Sequence, residues 1–310
     1  MSTTWTPAHM RQVFESTKNW GVWGAEDESG ALNYITPAKL REAAAAIKLG
    51  IAVSCARELA VHPGIDNPHP ALHMMIQGGD DCVIPGVGLE ATMDFVGVAF
   101  HGMSTTHIDA LCHVLVDGKM YNGFDASEVK STGARRGSIM CARDGIVSRG
   151  VLLDIPRLQG VEYLEPANMI TVAHLEAAEK AQSVTAGEGD ILLVATGRDA
   201  RRAKIGPTSP MSGMAGLHPE CATWLHARKI AVLGSDGVSD AIPGAGIDGW
   251  GMPIHQCTLT AMGVHLLDNL RLDRLCAACA EHKQWTFQFT VAPLRVERGT
   301  GSPVNPIAVL

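Results

Sequence analysis

The chain of 310 residues contains no apolar run approaching the roughly 18 residues that a membrane-spanning helix requires. No membrane partner is therefore expected. It also lacks any cluster of basic residues: Arg135-Arg136 and Arg201-Arg202 are isolated pairs, and the net charge is -7. Phosphate backbones bind basic faces, so no nucleic-acid partner is expected either. The opening stretch, MSTTWTPAHMRQVFES, has no basic segment followed by an apolar one, and no secretory signal is read there. Internal repeats, low-complexity tracts and interdomain linkers are missing too, which favours a single domain over residues 1–310.

What is present is an ordinary globular composition, 46% hydrophobic and 18% charged, enough to bury a large core. Eight cysteines, at positions 55, 82, 112, 141, 221, 257, 276 and 279, are scattered rather than grouped as in a disulfide-stapled scaffold. Cys276 and Cys279 form a C-x-x-C pair, yet no second pair completes a four-thiolate zinc site. Their segment, LRLDRLCAACAEH, reads as an amphipathic helix with small thiols packed on it. The compartment expected is the reducing cytoplasm.

Along the chain, Thr36 and Pro37 read as the N-cap and first residue of a helix that Gly50 ends. IAVSCARELA reads as a strand. Residues 62–90, rich in Pro, Gly, His and Asp, read as a long irregular segment, apolar at Met74, Met75 and Ile76 and positioned to cover a pocket. Strands are expected in DFVGVAFHGMSTTHIDALCHV, GVLLDIP, GDILLVATG, KIAVLGSDG and WTFQFTVAPL. Helices are expected in TVAHLEAAEKAQ and HPECATWLHARK, and GTGSPVNPIAVL is a Gly/Pro-rich tail. Strands alternating irregularly with helices imply an α/β or α+β class with a mixed sheet.

The chemistry concentrates in His101-Gly-Met-Ser-Thr-Thr-His107-Ile-Asp109-Ala-Leu-Cys-His113. Alternate residues of a strand share a face, so His101, Met103, Thr105, His107 and Asp109 would line one side. His107 and Asp109 then offer a nitrogen and an oxygen to one divalent ion. A helical turn after Asp109 would bring His113 back beside them. Imidazole with carboxylate suits Zn²⁺ or Mn²⁺. Gly-Thr-Gly-Ser-Pro at 299–303 is followed by no Lys-bearing helix, and Ser235 in GSDG is outside a G-x-S-x-G frame.

This segment resembles the signature of the cyclase-like metal-dependent hydrolases, His-x-Gly-Thr-His-x-Asp-x-x-x-His, of which Thr106-His107-x-Asp109-Ala110-x-x-His113 matches the second half. The resemblance extends in order through WGAEDESGALNYITP, ILLVATG, GLHPECATWLHARKIAVLGSD, PIHQCTLTAMGVHLLDNLRLDRL and GTGSPVNP. It implies a swivelling β/β/α fold and homo-oligomers, dimer or tetramer. It implies His107 and Asp109 as metal ligands, His113 as proton shuttle, and His255 as a later ligand. Asp268 stands where the family carries a Glu, as ligand or auxiliary base.

The family's first His corresponds to Met103 here. His101 lies two residues earlier, a displacement of roughly 7 Å along a strand, which assigns it to the substrate side. His218, in GLHPE, is expected either to bind substrate or to start a helix. Trp23 is expected to wall the pocket. With Met103 a non-ligand, one ion (Zn²⁺ or Mn²⁺) is expected per chain. The resemblance implies hydrolysis of an amide, lactone or related bond in a small cyclic or aryl substrate. A dehydratase or lyase using the same ion, and a binding protein with a crippled site, are the alternatives.

Overall fold

The computed structural model describes residues 5–166 and 168–310. Its core is a mixed sheet, nine-stranded among the described residues. The order is Ala52–Ser54, Ile307–Val309, Thr286–Val291, Ile146–Asp154, Ile191–Ala195, Val232–Ser235, His265–Asp268, His107–Asp109 and Gly301–Pro303. The four strands from Ile146–Asp154 to His265–Asp268 run parallel, and every other pairing is antiparallel. This is the expected α/β class.

The central strands read as continuous apolar runs because both of their faces are covered. Leu152, Leu193, Val232 and Leu267 pack into one core cluster, and Leu153, Leu192, Leu233 and Leu266 into the other, all fully buried. Helix Pro37–Ala45 starts at Thr36, whose side chain accepts the Lys39 amide, as the sequence implies. It ends at Ala46, short of Gly50. Helix Val172–Gln182 starts at Thr171 with a reciprocal bond from His174, and helix Asp273–His282 carries Cys276 and Cys279 as free thiols.

The Gly/Pro-rich tail supplies two strands, Gly301–Pro303 and Ile307–Val309, which join the sheet at positions far apart in its order. Strands of three residues leave no periodic signal, so the Gly and Pro dominate the pattern. Residues 62–90 are not irregular throughout, since Leu72–Gln77 pairs with Met93–Gly97 in a separate two-stranded arm. Finally, the strand read across 94–114 breaks into two: Met93–Gly97 belongs to the arm, residues 101–105 form bends, and His107–Asp109 belongs to the large sheet.

Candidate metal centre

His107–Asp109 lies between His265–Asp268 and Gly301–Pro303. Asp268 sits opposite His107, and Leu266 opposite Asp109. Cross-strand partners point to the same face, so His107, Asp109 and Asp268 converge, while Ile108 and Leu267 enter the core behind them. Asp268 therefore reaches the centre despite its short side chain, because its strand is the immediate neighbour.

His113 returns by the expected turn, its amide donating to Ala110 O at 3.0 Å. Its Nε2 stands 3.9 Å from Asp109 Oδ1. His101, expected roughly 7 Å away, instead has Nδ1 only 2.9 Å from Asp109 Oδ1. The bends at 101–105 fold it back, and Thr300 Oγ1 holds its Nε2 at 3.0 Å. Close approach of strand Gly301–Pro303 makes this possible: a Cβ on Gly301 would lie 2.5 Å from Ile108 O and 2.9 Å from His101 Cε1.

His255 comes from the short helix Pro253–His255, which runs into a π-helical stretch, Gln256–Met262. Asp240 caps that helix, accepting the amides of Ile254 at 2.8 Å and His255 at 3.0 Å. The same carboxylate takes His255 Nδ1 at 2.6 Å, which aims Nε2 at Asp268 Oδ2 (3.2 Å) and Asp109 Oδ2 (3.7 Å). His107 is oriented likewise, Nδ1 donating to Thr105 O at 2.8 Å and leaving the Nε2 lone pair toward Asp109 Oδ1 at 3.4 Å. An imidazole whose second nitrogen is tied to a carbonyl or carboxylate is the usual arrangement of a metal ligand. Asp240 is the functional residue that sequence reading missed. It lies 15 positions before His255, and only the cap geometry joins them.

Within the group, His107, Asp109 and Asp268 bring donor atoms within 4.8 Å of one another, and His101, Asp109 and His113 do the same. Asp109 belongs to both. Burial opposes ionisation of Asp109, but His101 and His107 outweigh it and hold the carboxyl well below its ordinary range. Burial likewise opposes protonation of His107 and His255, and the carboxylates around them outweigh it, raising both. His113 differs: burial pushes it down to about 4.

Both oxygens of Asp109, Oδ1 of Asp268 and Nδ1 of His101 are buried without a hydrogen-bond partner. The nitrogens near Asp109 are close but not aligned to donate. Buried anionic oxygens left this way are costly, and a divalent cation among them removes the cost. The donors are imidazole nitrogen and carboxylate oxygen with no thiolate, which fits Zn²⁺ or Mn²⁺. The centre opens on one side, where His101 and His113 are 26% and 30% exposed, whereas Asp109 is 1% exposed.

Two of the expected site residues make their recorded contacts with residues outside this group. His218 Nδ1 accepts the Glu220 amide at 3.2 Å beside helix Cys221–Ala227, and Trp5 packs edge-on against its ring. Trp23 packs edge-on against Tyr34, with ring centres 4.9 Å apart. Met103 packs beside Met214, Val238 and Ile242, and the imidazole that stands beside Asp109 instead is His101. The single-ion expectation follows from Met103 and the short Asp268 side chain, and the structure adds His101 Nδ1 at 2.9 Å from Asp109 Oδ1.

The family model Cyclase matches residues 51–240. Among solved structures, a novel cyclase superposes with a TM-score of 0.86 at 29% identity, covering 94% of this chain and 99% of the other. An isatin hydrolase bound to the product analogue thioisatinate gives 0.57 at 20% identity, over 88% and 95% of the two chains. Isatin hydrolase A from Labrenzia aggregata, bound to benzyl benzoate, gives 0.59 at 20% identity, over 86% and 94%. No curated protein matches. With the family model covering more than half of its length, the chain belongs to the Cyclase family.

Proposed function

We propose that this chain is a metal-dependent hydrolase that cleaves an amide, lactone or related bond of a small cyclic or aryl substrate. The observation that carries the reading is Asp109, buried, with both oxygens unpartnered and three imidazoles within 3.9 Å of Oδ1. The isatin hydrolases of the same fold support the reaction class.

His107, Asp109, Asp268 and His255 would hold one ion, and His101 with Asp109 would hold a second. Zn²⁺ or Mn²⁺ in such a site polarises a carbonyl and lowers the pKa of water toward about 7. Asp240 and Thr105 O fix the rings of His255 and His107. His113, on the open side and held neutral at pH 7 by its lowered pKa, accepts the proton of the attacking water at Nε2 and returns it to the leaving group. Asp268 serves as ligand rather than as base, being buried with its strand neighbours.

The reading includes a homodimer or homotetramer. The arm of Leu72–Gln77 and Met93–Gly97 pairs with no other strand among the described residues. Met74, Met75, Ile76, Phe95 and Val96 are exposed on it. A two-stranded ribbon is marginal alone in water, and an apolar patch of this size marks an interface, here with a second copy. Eight free thiols support the cytoplasm as compartment. No described helix is long and apolar enough to cross a membrane.

The test is a panel of small aryl amides and lactones, assayed with protein stripped by chelator and refilled with Zn²⁺ or Mn²⁺. Turnover that disappears on stripping and returns on refilling supports the proposal. Turnover indifferent to stripping, or a product mass showing loss of water instead of its addition, overturns it.

A further inference from the structure

The segment 101–106 carries His101 yet has no strand partner along 101–105, so something else must fix its path. Behind it, on the side away from the centre, lie two residues that the metal reading does not use. Asn269, fully buried and at φ 55°, donates through Nδ2 to Gly102 O at 2.8 Å and to Thr105 O at 3.1 Å. Its Oδ1 accepts from Arg198 Nη1 at 2.6 Å, and Arg198 Nη2 donates to Met103 O at 2.5 Å. Three carbonyls of one irregular segment are thus tied to a single Arg–Asn pair. Further anchors are Ser104 Oγ to Asn67 at 2.9 Å, Thr106 Oγ1 to Asn269 O at 2.6 Å, the amides of Arg57 and Val304 to Thr106 Oγ1 and O at 2.9 and 3.2 Å, and His101 to Thr300.

The pair is itself held in place. Asn269 N donates to Gly237 O at 2.7 Å, its carbonyl accepts from Arg57 Nε at 3.0 Å, and Arg198 Nη1 also donates to Asp236 O at 3.2 Å. Asn tolerates the left-handed backbone that most residues avoid. That turn sends the Asn269 side chain behind the segment while Asp268, one residue earlier, joins the group at the centre. Thr105 O is shared, receiving Asn269 Nδ2 on one side and His107 Nδ1 on the other. The connection therefore reaches both imidazoles, His101 through Gly102 and His107 through Thr105.

We propose that Arg198 and Asn269 are positioning residues that clamp segment 101–106 from behind, setting how far His101 reaches toward Asp109 and so the affinity of the ion His101 would hold. The clamp rests on the metal reading above. Groups that orient metal ligands from outside typically alter affinity by about 10–100-fold when removed, and the clamp acts in that range on the His101 ion.

The experiment titrates Co²⁺ into the full chain stripped of metal, followed by calorimetry and by the visible absorption of bound Co²⁺. Parent, His101→Ala, Arg198→Met, Arg198→Lys and Asn269→Asp are compared, with circular dichroism melts as the folding check. His101→Ala identifies the Co²⁺ step that depends on that imidazole. The clamp predicts that Arg198→Met and Asn269→Asp weaken that same step about 10–100-fold; Arg198→Met leaves the other step unchanged, whereas Asn269→Asp, which also frees Thr105 O behind His107, weakens the other step by less than it weakens the His101 step. Arg198→Lys, with one donor position left, falls between. If Arg198→Met does not fold, Asn269→Asp, which keeps size and its contact to Arg198, carries the comparison. Parent-like Co²⁺ affinity in folded Arg198→Met or Asn269→Asp overturns the clamp and leaves the metal reading standing. A parent that binds no Co²⁺, or binding indifferent to His101→Ala, overturns the clamp as well, and the first of these also overturns the metal reading.

Discussion

The rings of His101 and His113 stack with their centres 3.8 Å apart and their planes within 2°, and both present a nitrogen to Asp109 Oδ1. On the proposed function the two rings take different parts over one buried carboxylate, a ligand and a proton carrier. His101 Nδ1, at 2.9 Å, is the nearer and is fixed from behind by Thr300. His113 Nε2, at 3.9 Å, is the freer and the more exposed.

That division predicts the behaviour of His113→Ala. The variant keeps its metal content, because His107, Asp109, Asp268 and His255 remain. Its kcat falls about 10²–10⁴-fold, the usual contribution of a positioned acid–base group. Steady-state kinetics beside elemental analysis checks both halves. A near-normal kcat moves the proton to another group.

His107→Ala and Asp109→Ala are expected to lose metal and activity together, since each removes a donor atom from the shared group. Full metal occupancy in either purified, folded variant contradicts the assignment.

His265 lies on the same strand as Asp268, fully buried, with Nδ1 unpartnered and Nε2 3.4 Å from Cys141 Sγ. Burial pushes its pKa down to about 4. The folded value is thus below the unfolded value of about 6.5, so below pH 6.5 the unfolded chain binds a proton that the folded chain refuses. Stability contributed by the neutral ring is full above pH 6.5 and declines as pH falls to 4, by roughly 3 kcal/mol in all. Urea unfolding at pH 7 and pH 4.5 is expected to show a smaller acid-induced loss in His265→Leu than in the parent. Equal losses contradict the argument.

The arm carries a prediction of its own. The parent is expected to run as a dimer or tetramer by light scattering, and the double variant Met74→Lys with Phe95→Asp to shift toward monomer with its melting little changed. A parent that is monomeric at micromolar concentration removes the interface.

Some of this was legible in the residues and some was not, for physical reasons. His107 and Asp109 follow from the period of two in a strand, and His113 from a single turn. His101 was misplaced because strand geometry was carried through residues that bend. Gly102 at φ 151° and the Asn269 bonds to Gly102 and Thr105 interrupt the extension, and nothing in the local pattern announces a bond to position 269. Asp240 acts on His255 as a helix cap, and the tail strand Gly301–Pro303 acts by packing against Ile108. Both are tertiary relationships. Chemical type alone points to His218 and Trp23, and their contacts to Glu220 and Tyr34 leave no signal in the local sequence.

On the proposed function Asp109 would be the residue common to two cation positions. The measurement that tests it most directly is anomalous diffraction from crystals of protein refilled with Zn²⁺ or Mn²⁺. The account predicts two peaks, each about 2.0–2.2 Å from an oxygen of Asp109. One is expected among His107, Asp268 and His255, the other beside His101. An active crystal with a single peak, or with none within reach of Asp109, contradicts it.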